Sequence, residues 1–558
     1  MDKAQMHIPH PANTETTSQK PIVWCIGGSD SGGGAGIQAD LLTVSDLAVH
    51  GCTVITAVTA QNSVAVTEVF ALPAGMLCSQ LDALWQDLPP AAIKIGLLAD
   101  DSQIETLALW LAKNQPQCPV IWDPVLVAST GRCLSDISWQ ACLALLQQVQ
   151  LLTPNLPELA YFAQKNQQAS AADTDEGKAQ LQALRAIYQG AIVLKGGHAA
   201  PDKDQSIVDL FVPASEQGAA FEGTAVEGSA VKSWVKLHSD RLNNPHQHGT
   251  GCTLASAIAA LWAQDYDLPD AIVLGRAYLQ QSLRAGYATG KGAGSLGRLG
   301  WPLQQQDFPA LYTAPVHSVT AIAANYTTVL PLVKTPIFPR LSQSIGLYPV
   351  LDDISWLKRL LPLGLHTVQL RLKNKTEQEL RAQISAAVAF CRDYHIQLFI
   401  NDHWQLAIEY QAYGVHLGQE DLQQADLAAI AAAGLRLGIS THGYAELATV
   451  LPLRPSYIAL GHIFPTKTKA MPSKPQGLKR LADYVWLCDD IPTVAIGGIT
   501  QQNINAVLQT GVRGVAVVSA ITAAPQPEQA LKQLISSCQS LYQPAQKIAV
   551  KGAYDVLC

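Results

Sequence analysis

Leu398-Phe399-Ile400-Asn401-Asp402 and, further along, Val415-His416-Leu417-Gly418-Gln419-Glu420-Asp421 each carry a short apolar run into acidic residues. A closed parallel barrel delivers polar groups to its mouth in this way, at the ends of its strands. Acids at the ends of two successive strands can converge on one cation. Six further runs surround this pair, at Gly346–Val350, Thr367–Leu370, Leu435–Ile439, Tyr457–Leu460, Thr493–Ile496 and Gly514–Val518. With Gln397–Ile400 and Gly414–Leu417 they make eight, separated by helix-length segments, and predict a (β/α)8 barrel over 344–545.

Upstream the pattern changes. From Pro21 a strand at Ile22–Ile26 meets a glycine-rich turn, Gly27–Gly36, and then a helix whose Ile37, Leu41, Val44 and Ala48 share one face. Strand-like runs recur at Thr53–Val58, Ile93–Leu97, Val120–Trp122, Leu151–Thr153, Ile192–Leu194 and Ile207–Val212. Helical stretches separate most of them, so 20–297 reads as a mainly parallel, layered α/β domain. Regularity fades across 298–343, where proline and polar residues accumulate, and a linker is expected there. Residues 1–19 and 546–558 are expected to be tails, the first polar and disordered.

Composition narrows the function. At 558 residues the chain exceeds one ordinary core. Hydrophobic residues are 48% and charged ones 15%, which suits buried α/β layers. The net charge of −7, with no basic block, argues against nucleic acid as a partner. Eleven scattered cysteines without a C-x-x-C pair read as reduced thiols. No signal-peptide core and no membrane-length apolar stretch is visible, so a soluble, cytoplasmic protein is expected.

In the first half, Gly27-Gly28-Ser29-Asp30-Ser31-Gly32-Gly33-Gly34-Ala35-Gly36 lacks the Gly-Lys-Ser/Thr of a P-loop. Alone, it is a packing turn as readily as a ligand site. His248-Gly249-Thr250-Gly251-Cys252-Thr253-Leu254-Ala255 opens a helix with two glycines. Unpaired N–H groups there can face an anion and stabilise charge on a transferring phosphoryl group. Cys252 sits where the helix dipole favours a thiolate, which could serve as a base. The plain alternative is a buried cysteine beside a helix cap.

These segments occur in order with Asp40, Ala60-Gln61-Asn62, Lys94-Ile95-Gly96, Asp123-Pro124-Val125, Thr153-Pro154-Asn155 with Glu158, and Lys195-Gly196-Gly197-His198. Together, over about 21–290, they resemble the hydroxymethylpyrimidine/phosphomethylpyrimidine kinases of the ribokinase-like superfamily. The resemblance implies ATP-dependent phosphorylation of the pyrimidine alcohol and then of its monophosphate. It implies that Gln61 bonds the aminopyrimidine while Gly28 and Asp40 line its pocket. Gly249, Thr250 and Gly251 would form the anion hole and Cys252 would stand where sugar kinases carry an aspartate base. Lys195 would meet nucleotide phosphates, and Asn155 and Glu158 would organise Mg²⁺. Leu97 departs from the methionine of many relatives but keeps apolar bulk.

In the second half, Gln369-Leu370-Arg371-Leu372-Lys373 alternates so that Gln369, Arg371 and Lys373 share one side. That side faces either a solvated helix layer or the barrel mouth. Asp402 and Asp421 are hard oxygen ligands suited to Mg²⁺; singly, each acid is more readily a helix cap or a surface residue. Thr466-Lys467-Thr468-Lys469 offers hydroxyls and cations, or is a solvated basic loop. Ile496-Gly497-Gly498-Ile499 and Val518-Ser519-Ala520 end the seventh and eighth strands, where barrels commonly bind phosphate.

With Ser440-Thr441-His442, these segments look like the thiamine-phosphate synthase family over about 344–540. The resemblance implies joining a pyrimidine diphosphate to a thiazole phosphate with loss of pyrophosphate, through a pyrimidine carbocation. Gln369, Leu370, Arg371, Leu372, Lys373 and Asn401 would bind the diphosphate, with Asp402 and Asp421 on Mg²⁺. Ser440 and Lys469 would contact the departing pyrophosphate. Thr466, Lys467, Thr468, Gly498, Val518 and Ser519 would hold the thiazole phosphate.

The product of the first half is the substrate of the second, so the chain is expected to be bifunctional, with ATP and Mg²⁺ as co-substrate and cofactor. Its expected partners are small molecules and, by resemblance, a second copy through the kinase half. A pyridoxal-type kinase fused to an unrelated barrel is the rival enzyme, and a regulatory protein with one inactive domain is the reading from another class.

Overall fold

The computed structural model describes residues 19–127, 134–164, 176–197, 206–215, 234–314, 336–466 and 473–541. The expected C-terminal tail, and all of the N-terminal one but Gln19, lie outside these residues. The described residues cluster into two units, one of Met1–Thr153, Asn244–Tyr266 and Ser282–Trp301, the other of Pro154–Asn243, Asp267–Gln281 and Pro302–Cys558.

The first half contributes ten strands to one sheet: β1 (Ile22–Asp30), β2 (His50–Gln61), β3 (Val66–Ala71), β4 (Ala92–Ile95), β5 (Val120–Trp122), β6 (Leu151–Leu152), β7 (Ala191–Leu194), β8 (Ser206–Val212), β9 (Trp234–Asp240) and β10 (Ala310–Ala314). In one unit the order is β6-β5-β4-β1-β2-β3; in the other it is β10-β9-β8-β7. Pairs from β6 through β2 are parallel. The β2–β3 pair and the pairs from β7 to β10 are antiparallel. The sheet is therefore mixed, where the sequence suggested a mainly parallel one.

Burial explains which strands were legible. Ile22 to Ile26 of β1 are all buried, as a central strand covered on both faces requires. Strand β9 instead alternates buried Val235, Leu237 and Ser239 with partly exposed neighbours, and carries Lys236 and His238. Strand β10 falls inside 298–343, the stretch expected to be a linker, and pairs with β9 from Ala310↔His238 to Ala314↔Trp234. Within that stretch Ala310–Ala314 is sheet, and its Leu311 is buried.

The second half is a closed barrel of eight parallel strands in sequence order: β11 (Gly346–Leu351), β12 (Thr367–Leu370), β13 (Gln397–Asn401), β14 (Gly414–Leu417), β15 (Arg436–Thr441), β16 (Tyr457–Gly461), β17 (Thr493–Ile496) and β18 (Gly514–Val517). Pairing of β11 with β18 closes it. The interior is filled by Ile345, Tyr348, Val350, Phe399, Tyr457, Ala459, Val494 and Ala516, so it is a packed core, not a channel.

The helix Glu377–Asp393 shows how the outer layer is held. Thr376 and Glu379 form a reciprocal capping box at its start. Its Ile384, Ala387, Val388 and Cys391, at three- and four-residue spacing, bury one face.

All nine described cysteines are free thiols. Among the described residues no helix is long and apolar enough to cross a membrane.

Candidate active sites

Strand β13 delivers Asn401, which is buried, and the chain turns at Asp402 with φ +66°, donating the Asp402 N–H to the His416 carbonyl. Asp421 enters from the short helix Gln419–Gln424 that follows β14. Lys373 Nζ lies 2.6 Å from Asp402 Oδ2. Burial works to raise Asp402, but Lys373 first and the neighbouring Asp421 after it outweigh burial and hold the acid below its ordinary value. Asp421 is raised, first by burial and then by the charge of Asp402. One cation shared by both acids would relieve this repulsion.

Among the described residues no three His, Cys, Asp or Glu side chains converge. Two carboxylates suit Mg²⁺ nonetheless, because that ion keeps several waters and usually takes the rest of its shell from substrate phosphates.

Gln369 is buried within β12, while Arg371 and Lys373 follow the strand end. Ser440 lies on β15; its carbonyl accepts from Gln419 Nε2 at 2.6 Å and its Oγ is 2.8 Å from His416 Nε2. Burial pushes the His416 imidazole down to about 4, so the ring is neutral at physiological pH.

After β17 the chain turns through Gly497 (φ +101°) and Gly498 (φ +66°). A Cβ on Gly498 would come within 2.6 Å of the Pro465 carbonyl, so only glycine lets this turn approach the loop after β16. Asn503 fixes the turn by donating to the Gly498 carbonyl at 3.0 Å. Val518 and Ser519 stand where β18 gives way to the short helix Ser519–Thr522. Thr466 is the last described residue of its loop; Lys467, Thr468 and Lys469 lie outside the described residues.

The kinase-like half has two local clusters. In the first, the Asp30 carboxylate accepts from the N–H groups of Gly32, Gly34 and Ala35 at 2.8, 3.1 and 2.8 Å. It also meets His248 Nε2 at 3.0 Å, and His248 reaches Gln61 Nε2 at 3.3 Å. Burial alone would raise Asp30; the bonds from His248 and the turn bring it below its ordinary value. Asp30 is thus the post around which the glycine turn is wound.

A cleft of about 400 Å³ opens beside this cluster, with Gly32, Asn62, Ser63, His248, Lys291 and Ser295 in its lining. Gly28 abuts Leu97, whose Cδ2 would lie 2.7 Å from an added Cβ. Gly249 caps the helix Thr250–Ala263 at φ +83°, and its missing side chain leaves room for the Gly34 carbonyl, 2.0 Å from where a Cβ would sit. Gly249, Thr250, Gly251 and Cys252 therefore stand at that helix's first turn, as the sequence suggested.

Asp40 is fully buried, with Lys94 Nζ 2.9 Å from both its oxygens and Ser256 Oγ at 2.7 Å. A buried ammonium requires such a counter-ion. Cys252 is partly exposed by area, yet it is packed densely enough that burial pushes its thiol up to about 11, against the downward pull of Lys94. Dehydration thus outweighs the pull of Lys94 and favours the thiol over the thiolate.

In the second cluster, Asn155 and Glu158 bond reciprocally, N–H to Glu158 Oε2 at 2.7 Å and N–H to Asn155 Oδ1 at 2.9 Å. Lys195 Nζ stands 3.7 Å from Glu158 Oε2. An acid, an amide and an ammonium held in this way are suited to a metal-bound polyphosphate.

Comparison with known proteins agrees with this division. Residues 30–297 match the family described as phosphomethylpyrimidine kinase, and residues 347–521 match thiamine monophosphate synthase. The chain is 57% identical over 201 residues to a thiamine-phosphate synthase of Cronobacter sakazakii, covering 36% of this chain and 96% of that one. Among solved structures, it is similar to a pyridoxal kinase from Staphylococcus aureus (22% identity, TM-score 0.42, 53% of this chain and 100% of that one). It is also similar to a phosphomethylpyrimidine kinase from Clostridium difficile (28% identity, TM-score 0.35, 47% and 98%).

Proposed function

The chain belongs to the thiamine-phosphate synthase family and carries a phosphomethylpyrimidine kinase domain ahead of it, and we propose how its residues divide the two reactions. The molecule is a bifunctional enzyme of thiamine biosynthesis. It phosphorylates the hydroxymethylpyrimidine and its monophosphate with ATP, then condenses the diphosphate with thiazole phosphate and releases pyrophosphate.

In the synthase, our reading rests chiefly on the neighbouring acids Asp402 and Asp421, with Lys373 2.6 Å from the first. They would hold Mg²⁺ on the diphosphate, which supplies charge neutralisation for the leaving pyrophosphate. Gln369 to Lys373 and Asn401 bind the pyrimidine diphosphate, and Ser440 and Lys469 contact the leaving group. Thr466 to Thr468, Gly498, Val518 and Ser519 take the thiazole phosphate. No strong base is required, since stabilising the departing anion and excluding water carry the step.

In the kinase, Gln61 and Gly28 meet the pyrimidine, and Asp40 supports them from beneath through Lys94. Gly249 to Gly251 form the anion hole, and Lys195, Asn155 and Glu158 serve the nucleotide and its Mg²⁺. Cys252 takes the alcohol proton as the oxygen attacks the γ-phosphorus. Because its thiol rests protonated, it must first release that proton to solvent, and the charge of Lys94 favours the release. We place the kinase at 20–297 and the synthase at 344–545, with self-association through the kinase half and a cytoplasmic setting.

The test supplies the purified chain with hydroxymethylpyrimidine, ATP, Mg²⁺ and thiazole phosphate. Thiamine phosphate should form. Asp402→Ala and Asp421→Ala should each abolish it while pyrimidine diphosphate accumulates. Undiminished thiamine phosphate synthesis by both variants would remove these acids from the site.

A further inference from the structure

Five side chains run through the barrel interior as one hydrogen-bonded file. Gln369 Nε2 stands 3.3 Å from Tyr348 Oη, Tyr348 Oη 2.7 Å from Tyr457 Oη, and Tyr457 Oη 2.7 Å from His416 Nδ1. His416 Nε2 then meets Ser440 Oγ at 2.8 Å. Tyr348, Gln369, His416 and Tyr457 are each 6% exposed or less. The sheet makes room for the file: a Cβ on Gly438 of β15 would lie 2.1 Å from Tyr457 Cζ. The two ends are side chains assigned above to the pyrimidine diphosphate. The three between them have no role in that assignment.

Each hydroxyl in the file donates one proton and accepts another, and a neutral imidazole has one donor and one acceptor. The file therefore runs in one sense or in the other. In one, Gln369 donates to Tyr348, Tyr348 to Tyr457, Tyr457 to His416 Nδ1, and His416 Nε2–H to Ser440, whose own proton is left to point outward. In the other, Ser440 spends its proton on His416 and offers substrate only lone pairs. A leaving pyrophosphate accepts hydrogen bonds and donates none, so it selects the first sense. That sense also turns Gln369 Oε1 away from the file as an acceptor, suited to the exocyclic amine of an aminopyrimidine.

We propose that His416, Tyr457 and Tyr348 form a positioning relay that sets Ser440 as donor to the leaving group and Gln369 as acceptor for the pyrimidine amine together. The relay rests on the assignment of Ser440 and Gln369 to that substrate. It holds His416 in the Nε2–H tautomer. Its energetic reason is that buried polar groups in a network polarise one another and are costly to leave half-paired.

Tyr457→Phe keeps the ring and removes the central hydroxyl. Synthase kcat should fall about tenfold, the size of one buried hydrogen bond lost, while the KM for thiazole phosphate and the kinase rate stay as in the unaltered chain. His416→Phe should cost more, and His416→Gln, which restores a donor toward Ser440, should recover part of the loss. Independently, the imidazole ¹⁵N resonances of the full chain that vanish in His416→Gln should show the Nε2–H pattern. An Nδ1–H pattern, or an unchanged kcat in Tyr457→Phe, overturns the relay. Ser440→Ala and Gln369→Ala separate the two claims. If both synthesise normally, the substrate assignment falls and the relay with it; if both are impaired while Tyr457→Phe is not, the relay alone falls.

Discussion

Asp402 and Asp421 share one mouth of the barrel on unequal terms: one is pulled below the ordinary carboxylate range, the other pushed above it. A protonated carboxyl cannot coordinate, so metal affinity depends on the acid that titrates last. As pH rises, that acid is Asp421. Mg²⁺ binding in the presence of pyrophosphate should weaken as pH falls through the raised Asp421 pKa and level off above it, and calorimetric titration at stepped pH reads this directly. In Asp421→Asn the affinity should be lower and this slope absent; affinity that improves on acidification would contradict the pairing. At this scale the sequence was informative about acids and less so about their supports. Asp402 and Asp421 announce themselves by ending apolar runs. Tyr348 and Tyr457 do not, because their contact spans 109 positions of chain and each reads as one more core aromatic. Asp40 gives no such sign in the sequence: its complete burial against Lys94, 54 positions away, appears only in the fold.

Elements were legible where burial is symmetrical. The runs at Thr367–Leu370, Gly414–Leu417 and Thr493–Ile496 coincide with β12, β14 and β17 to the residue; nearly all of their residues are buried, and aliphatic side chains at alternate positions mark each one. Strands β3 and β9 interrupt their apolar residues with exposed or charged ones such as Glu68 and Lys236, whereas β7 and β8, antiparallel as well, keep the apolar runs that mark a strand. In β3, Thr67, Glu68 and Phe70 are exposed. The start of the helix Thr250–Ala263 offers the sharpest test of an element. Its cap, Gly249, sits at φ +83° with the Gly34 carbonyl in the space of its Cβ. Gly249→Ala should displace the anion hole by a fraction of an ångström to an ångström and cost the kinase about a hundredfold, with synthase turnover of supplied pyrimidine diphosphate unaffected. A kinase rate equal to the unaltered chain would show that the turn can shift without consequence.

For the whole molecule, the two halves perform consecutive reactions, and their motifs were readable because each half keeps its set in order along the chain. Each half should therefore work when the other is disabled. Cys252→Ala chains mixed with Asp402→Ala chains should together form thiamine phosphate after a lag, as diphosphate made by the second population reaches the first through solution. Failure of the mixture, with each variant retaining its own intact activity, would mean that the intermediate does not pass between molecules. The Asp30–His248–Gln61 cluster and the barrel relay were beyond sequence reading for a common reason: in both, distant parts of the chain meet through neutral or paired groups that resemble ordinary core residues.

The closure of the barrel has a consequence for assembly. Among the described residues, pairing β11 with β18 leaves no barrel strand with a free row of N–H and C=O groups. The ten-stranded sheet, by contrast, ends at β3 and β10. Among the described strands these are the edges on which another copy could pair, and β3 presents Phe70 there with 66% of its surface open to solvent. The exposed charge of Glu68 on the same strand is then a guard against indiscriminate pairing, and its loss would remove that guard where the fold is most open to aggregation.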